Sequence, residues 1–155
     1  MSQIIATIEE SAVTLDDDGS VTYWAKAAVD NDGSGGNPEG DPDHQDETSL
    51  RHGGKSLNAQ KVPFIVVPPA ILRGVRPVVL GCQAQVVWKG VKIAAVVGDI
   101  GPHTKLGEIS VECARRLGMN PSPIHGGIAS PSVFYTILPG IPAVVDGITY
   151  QLQPS

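Results

Sequence analysis

Apolar residues in this chain fall in short, dense runs set between turn-forming residues, a pattern of strands rather than of long helices. Residues 3–8 and 21–29 predict two strands separated by the turn sequence Asp16-Asp17-Asp18-Gly19-Ser20. Phe64-Ile65-Val66-Val67 is a buried-strand run stopped by Pro68-Pro69. Residues 77–88, the pair Lys89-Gly90 and residues 91–97 predict a hairpin that feeds into a turn at Gly98-Asp99. Alternation through residues 83–88 is imperfect, which leaves the register of that hairpin open. A helix is predicted over about residues 110–117, where Ile109, Cys113 and Leu117 recur at i, i+4 and i+8. Ser110 suits its N-cap and Gly118 its C-cap, and Glu112 can pair with Arg115 or Arg116. Short strands near 132–137, 143–145 and 148–152 complete the pattern.

Between the early strands and Val62 lies a long polar stretch, residues 30–60, rich in Asp, Gly, Asn and His. A loop of that length inside a compact domain is usually functional or disordered. Neither an internal repeat nor a dividing linker is present, so residues 1–155 are expected to form one domain. The expected fold is all-β: a compact six-stranded, Greek-key-like β-barrel with one or two short helices.

Composition narrows the function classes. Glycine (18) and proline (13) make up one residue in five, which argues against a helical bundle. The net charge of −5 argues against nucleic acid as a partner and suits a cationic one. Apolar runs such as 93–97 are far too short to span a membrane, so no membrane partner is expected. The N-terminal MSQIIATIEESAV has neither the basic region nor the apolar region of a secretion signal, which leaves the compartment open. Cys82 and Cys113 are expected to be buried thiols, with Cys113 on the apolar stripe of the helix.

The densest chemical signal is the stretch from Val96 to Ser110, VVGDIGPHTKLGEIS. Asp99 stands at the end of a strand and Glu108, nine residues later, just ahead of the helix. Two carboxylates flanking a Gly/Pro loop, each anchored by a regular element, is an arrangement for acid–base work on a scissile bond. The same residues have plainer readings, since Gly-Asp turns are common and a Glu before a helix complements its dipole. Asp30-Asn31-Asp32-Gly33-Ser34-Gly35 matches the opening of a calcium loop, but position 12 is the short Asp41 and no flanking helices are predicted. A cation at that acidic loop remains open, but His44, His52, His103 and His125 show no zinc-ligand spacing, so no metal site is assigned and no cofactor is expected. A Gly-x-Ser-x-Gly nucleophile motif is absent.

The stretch from Gly98-Asp99 to Gly107-Glu108-Ile109-Ser110 closely resembles the signature region of the chitosanases of glycoside hydrolase family 75. Ala28-Val29-Asp30-Asn31-Asp32-Gly33 resembles that family's acidic segment, though without its cysteine. Asp41-Pro42, then Gln45-Asp46-Glu47-Thr48-Ser49-Leu50, then Val62 to Pro68, resemble the loop and strand that follow. The resemblance covers roughly residues 23–138. It implies an inverting glycoside hydrolase that cuts β-1,4 linkages in a glucosamine-containing polysaccharide, without a cofactor. Asp99 and Glu108 map onto the two essential carboxylates: Glu108 as general acid, Asp99 as general base, with the roles open to exchange. By fold analogy alone it implies a double-psi form of the barrel.

Against a cationic sugar polymer, Asp30 and Asp32 are expected to form negative subsites. Thr48 would hold a water or cap a turn, and His103 would bond sugar or Asp99, or simply face solvent. Tyr23 and Trp24 would stack on a pyranose ring or serve the core. A monomer is expected. Three rival functions remain: a peptidoglycan-active lysin, favoured by the lack of an export signal and of the family's extra cysteines, a non-catalytic carbohydrate-binding domain, and a calcium-stabilised structural module.

Overall fold

The structure is a computed structural model that describes residues 2–74 and 78–154. Strand β1 (Gln3–Ile8) turns at Glu9-Glu10, both at positive φ, into β2 (Ser11–Leu15), and the Asp16–Ser20 turn leads into the long β3 (Val21–Asp30). The polar stretch that follows contains only a small hairpin, β4 (Arg51–His52) with β5 (Lys55–Ser56). Next come β6 (Phe64–Val67), helix α1 (Pro69–Gly74), β7 (Cys82–Trp88) and β8 (Val91–Ile100). The chain ends with β9 (Glu108–Ser110), α2 (Val111–Leu117), β10 (Ile128–Pro142), β11 (Val144–Val145) and β12 (Ile148–Thr149). Pro77, expected to begin a strand, lies outside the described residues.

Six strands close a barrel in the order β3-β10-β7-β8-β6-β9 and back to β3. The β6–β8 and β3–β9 pairings are parallel and the rest antiparallel. Closure leaves the six barrel strands without a free edge, and the β1–β2 ribbon extends the sheet from β3. Inward positions alternate as a pleated strand requires: Val21, Tyr23, Ala25 and Ala27 on β3, Cys82, Ala84 and Val86 on β7, Val133, Tyr135 and Ile137 on β10 are all buried. The hairpin register left open by the sequence is Gln83↔Val96 through Trp88↔Val91.

Strand β2 was not anticipated. Val13 is its one buried side chain, so it carries almost no hydrophobic pattern, and its place comes from pairing with β1 and β3. Helix α2 follows expectation. The Ser110 Oγ accepts from the Cys113 N–H (3.2 Å) as N-cap. The same oxygen accepts from the Phe64 N–H (3.0 Å) and donates to the Val62 carbonyl (2.7 Å), which pins the helix start to β6. Glu112 pairs with both Arg115 and Arg116, and Arg116 forms a two-pronged bridge to Asp146 in the β11–β12 turn (2.9 and 2.7 Å).

Two expectations need correction. Gly98 and Asp99 do not form a turn; both lie within β8, which runs on to Ile100. Tyr23 is not available to a sugar. Its ring stacks on Tyr135 inside the barrel, with centroids 4.8 Å apart. The neighbouring Trp24 points outward instead, because successive strand residues face opposite sides. Cys82 and Cys113 are buried. No helix of the described residues is long and apolar enough to cross a membrane.

Candidate active site

Strand register builds the site. Asp99 on β8 is paired with Val66 on β6, Val66 with Glu108 on β9, and Glu108 with Ala28 on β3. Residues in register share a face of a sheet, so Asp99 and Glu108 project from the same outer face with one strand between them. Two strand spacings separate their backbones by about 10 Å. Asp30 lies two residues beyond Ala28 and therefore on the same face, one step along β3. The adjacent row, Val97, Ile65 and Ile109, faces the barrel interior and is buried.

Asp99 owes its direction to a β-bulge. The β6–β8 pairing passes from Ile65↔Val97 directly to Val66↔Asp99 and skips Gly98. Without the extra residue, Asp99 would share the face of the interior row. Gly98 fits there because it has no side chain: a Cβ would stand 2.8 Å from both the Phe64 Cβ and the Leu57 Cδ1. The long polar stretch folds back over this face, and its few apolar residues, Leu50, Leu57 and Ala59, are buried in the common core. Its backbone docks on the bulge through the Leu50 N–H, which donates to the Gly98 carbonyl (3.0 Å).

Sheet, covering loop and the segment after β8 enclose a polar cleft of about 1080 Å³ that Asp30, Asp32, Asp99, Glu108 and Lys105 line. Asp99 is only 6% exposed. Its Oδ1 accepts from the Ser49 N–H (2.9 Å), the Ser49 hydroxyl (2.9 Å) and the Ile100 N–H (3.0 Å). Burial raises its pKa and these bonds oppose the rise. Ser49, which the sequence reading passed over, is itself held by the Gln153 amide, which donates to its carbonyl (2.9 Å). Burial also raises Glu108; Lys105 and Lys26 draw it down, while Asp32 and Asp99 push it further up.

Asp30 and Asp32 join this pair as expected. The Asp32 N–H donates to Asp30 Oδ1 (2.6 Å), and the Gln45 N–H donates to Asp32 Oδ1 (2.8 Å). Burial, with the negative charges of Asp32, Asp99 and Glu108 added, pushes Asp30 up to about 8. Asp32 is raised by burial and by Asp99, with the Gln45 bond and His44 opposing. One carboxylate oxygen each of Asp30, Asp32 and Asp99 lie within 4.8 Å of one another. That all-oxygen grouping is the place among the described residues that could hold a hard cation, and two of its three members come from the acidic loop for which a cation was left open. His44, also unanticipated, braces the loop: its ring nitrogens meet Asn31 Oδ1 (3.0 Å) and Asp46 Oδ1 (3.1 Å).

Other expected residues fare differently. Thr48 borders the cleft but is buried, and its hydroxyl donates to the Leu50 carbonyl (2.9 Å) and accepts from the Leu57 N–H (2.9 Å). Both bonds brace the ends of the β4–β5 hairpin, as the turn-cap reading requires. His103 is exposed on the segment after β8, away from the cleft lining, and Asp99 takes its bonds from Ser49 and Ile100 instead. Asp41, Asp43 and Glu47 also border the cleft, with Glu47 paired to Arg51 (2.9 Å).

The raised carboxyls tie stability to pH. A buried acid whose folded pKa exceeds its unfolded value holds its proton longer when folded, so stability is greatest at low pH and falls as pH rises between the two values. For Asp30 that window runs from about 4 to about 8. In Asp30→Asn the amide oxygen still accepts from Asp32 and carries no charge. Its melting temperature is expected to match wild type at pH 4 and to exceed it progressively up to pH 8. A constant offset across that range, read by thermal melts in a pH series, would contradict the assignment.

Comparison with protein-family models and with curated proteins finds no match to this chain.

Proposed function

We propose that this protein is an endo-acting, inverting glycoside hydrolase that cuts β-1,4 linkages in chitosan or a related glucosamine polymer. One observation carries the reading: Asp99 and Glu108 project from one face of the barrel into one cleft, with a single strand between them. Backbones about 10 Å apart give the order of separation inversion needs, roughly 6.5–9.5 Å between carboxyls, with room for a water.

The surroundings of the two acids differ in the sense the roles require. Asp99 has three N–H or O–H donors on one oxygen, which favour its anion and suit a base that takes a proton from water. Glu108 has no hydrogen-bond donor among the described residues, and burial pushes its pKa up, as suits the acid that protonates the glycosidic oxygen. Water attacks the anomeric carbon from the Asp99 side as the bond to the leaving oxygen breaks. Its proton passes to Asp99, and the departing oxygen takes the Glu108 proton. A glucosammonium in the cleft supplies the positive charge that Asp30 and Asp32 lack, and so favours their ionised forms.

The test is the anomeric configuration of fresh product, followed by proton NMR during chitosan digestion. The α anomer is expected at early times. A β product would replace inversion by retention, and no new reducing ends would overturn the hydrolase reading. Release from cell-wall sacculi but not from chitosan would overturn the substrate class.

A further inference from the structure

Outside the cleft, the outer face of β3 carries a second groove, of about 430 Å³, between β2 and β10. Its floor is aromatic. Trp24 and Phe134 are direct cross-strand partners, with ring centroids 4.8 Å apart and planes tilted by 49°. Trp24 is 57% exposed, more than any other aromatic side chain among the described residues' exposed large hydrophobics. An indole left largely in water, in a protein with so few aromatic residues, forgoes the burial that a large apolar side chain ordinarily gains. The groove's carboxylates are Glu10 at the β1–β2 turn and Asp16 at the far end of β2, whose Oδ2 accepts from the Thr22 hydroxyl (2.9 Å). The nearest lysine on the same face of β3, Lys26, is already engaged by Glu9 and the Leu106 carbonyl. Six residues of extended chain separate Glu10 from Asp16 by roughly 20 Å.

We propose that this groove is a second binding site for an amino-sugar polymer, a β-1,4-linked glucosamine chain laid across Trp24 and Phe134 with its ammonium groups toward Glu10 and Asp16. The apolar C–H face of a pyranose suits a flat ring, and protonated amines suit paired carboxylates in a groove whose lining contains no Lys or Arg. Trp24 stands about 20 Å from Asp30 along β3, so the site would hold a distant stretch of a polymer whose other part lies in the cleft. The choice of amino sugar rests on the reading of the cleft; the existence of a sugar site rests on the groove alone.

The experiment measures retention on insoluble chitosan beads, with crystalline chitin as the neutral comparison, in Asp99→Asn protein so that the matrix stays intact. Adding Trp24→Ala is expected to weaken retention about tenfold or more, whereas Trp24→Phe keeps most of it. Glu10→Gln is expected to weaken retention at low salt and to match the Asp99→Asn protein at high salt, as screened charge requires. A merely structural role for Trp24 would lower the melting temperature in both Trp24 variants and leave retention unchanged, which would overturn the proposal. Equal retention on chitin, unaffected by Glu10→Gln, would overturn the amino-sugar assignment. A concentration-dependent dimer abolished by Trp24→Ala would give the groove to a second copy of this chain and overturn it as well. Were wild-type protein to release no reducing ends from chitosan, the cleft reading would fail while loss of retention in Trp24→Ala still supported this site.

Discussion

Asp99→Asn and Glu108→Gln are each expected to slow reducing-end release from chitosan by about 10²–10⁴-fold, the range for loss of a positioned acid or base. Neither change threatens the fold. An Asn at 99 presents an amide oxygen to the Ser49 N–H, the Ser49 hydroxyl and the Ile100 N–H, the three donors that Asp99 Oδ1 accepts. A Gln at 108 abandons no hydrogen bond among the described residues. Melting temperatures at or above that of wild type therefore accompany the loss, since burial raises the pKa of both acids. An aryl glycoside with a good leaving group separates the two roles, since it departs without a proton. Glu108→Gln should recover much of its rate on that substrate and Asp99→Asn should not. The reverse pattern would exchange the acid and the base. Full activity in both variants on chitosan would remove the catalytic pair altogether.

Gly107→Ala is expected to cost about 2–6 kcal/mol of stability, from two separate effects. Gly107 adopts φ +89°, which an L side chain rarely tolerates and which carries a strain of about 1–3 kcal/mol. A Cβ there would stand 2.1 Å from the Lys26 carbonyl oxygen, a backbone atom that cannot swing aside, and overpacking adds about 1–3 kcal/mol. The Ala28 N–H donates to the Gly107 carbonyl (2.8 Å), so displacement at 107 is passed to the β3–β9 pairing and to Glu108. Gly118→Ala is the control. Its φ of +84° is similar, but a Cβ there meets nothing within 4 Å, so only the conformational cost of about 1–3 kcal/mol remains. Urea unfolding of the two variants measures the difference directly. Equal losses would mean that contact with Lys26 contributes nothing.

Much of the local structure was legible from the chain alone. The run from Phe64 to Val67 stopped by two prolines, the Lys89-Gly90 turn, and α2 with Ser110 and Gly118 at its ends all follow from local rules of period, cap and turn. The barrel class followed from the same short-range signals, and Asp99 and Glu108 stood out because they flank one loop. What the chain could not reveal is set by parity and closure. Whether Tyr23 or Trp24 enters the core is a one-residue question, decided by how β3 pairs with β2, β9 and β10.

Asp99 faces the cleft only because pairing with β6 skips Gly98, and nothing in Val97-Gly98-Asp99 announces a bulge over a turn. Ser49 reaches Asp99 across 50 positions, and Asp30 joins it through three successive pairings, β3–β9, β9–β6 and β6–β8, the first of which closes the ring. The sequence by itself determined which segments are strands and which acids were available. The tertiary structure decided which way each points, because on a pleated strand a single step of register turns every side chain to the opposite face, and that register is settled by residues far away in the chain.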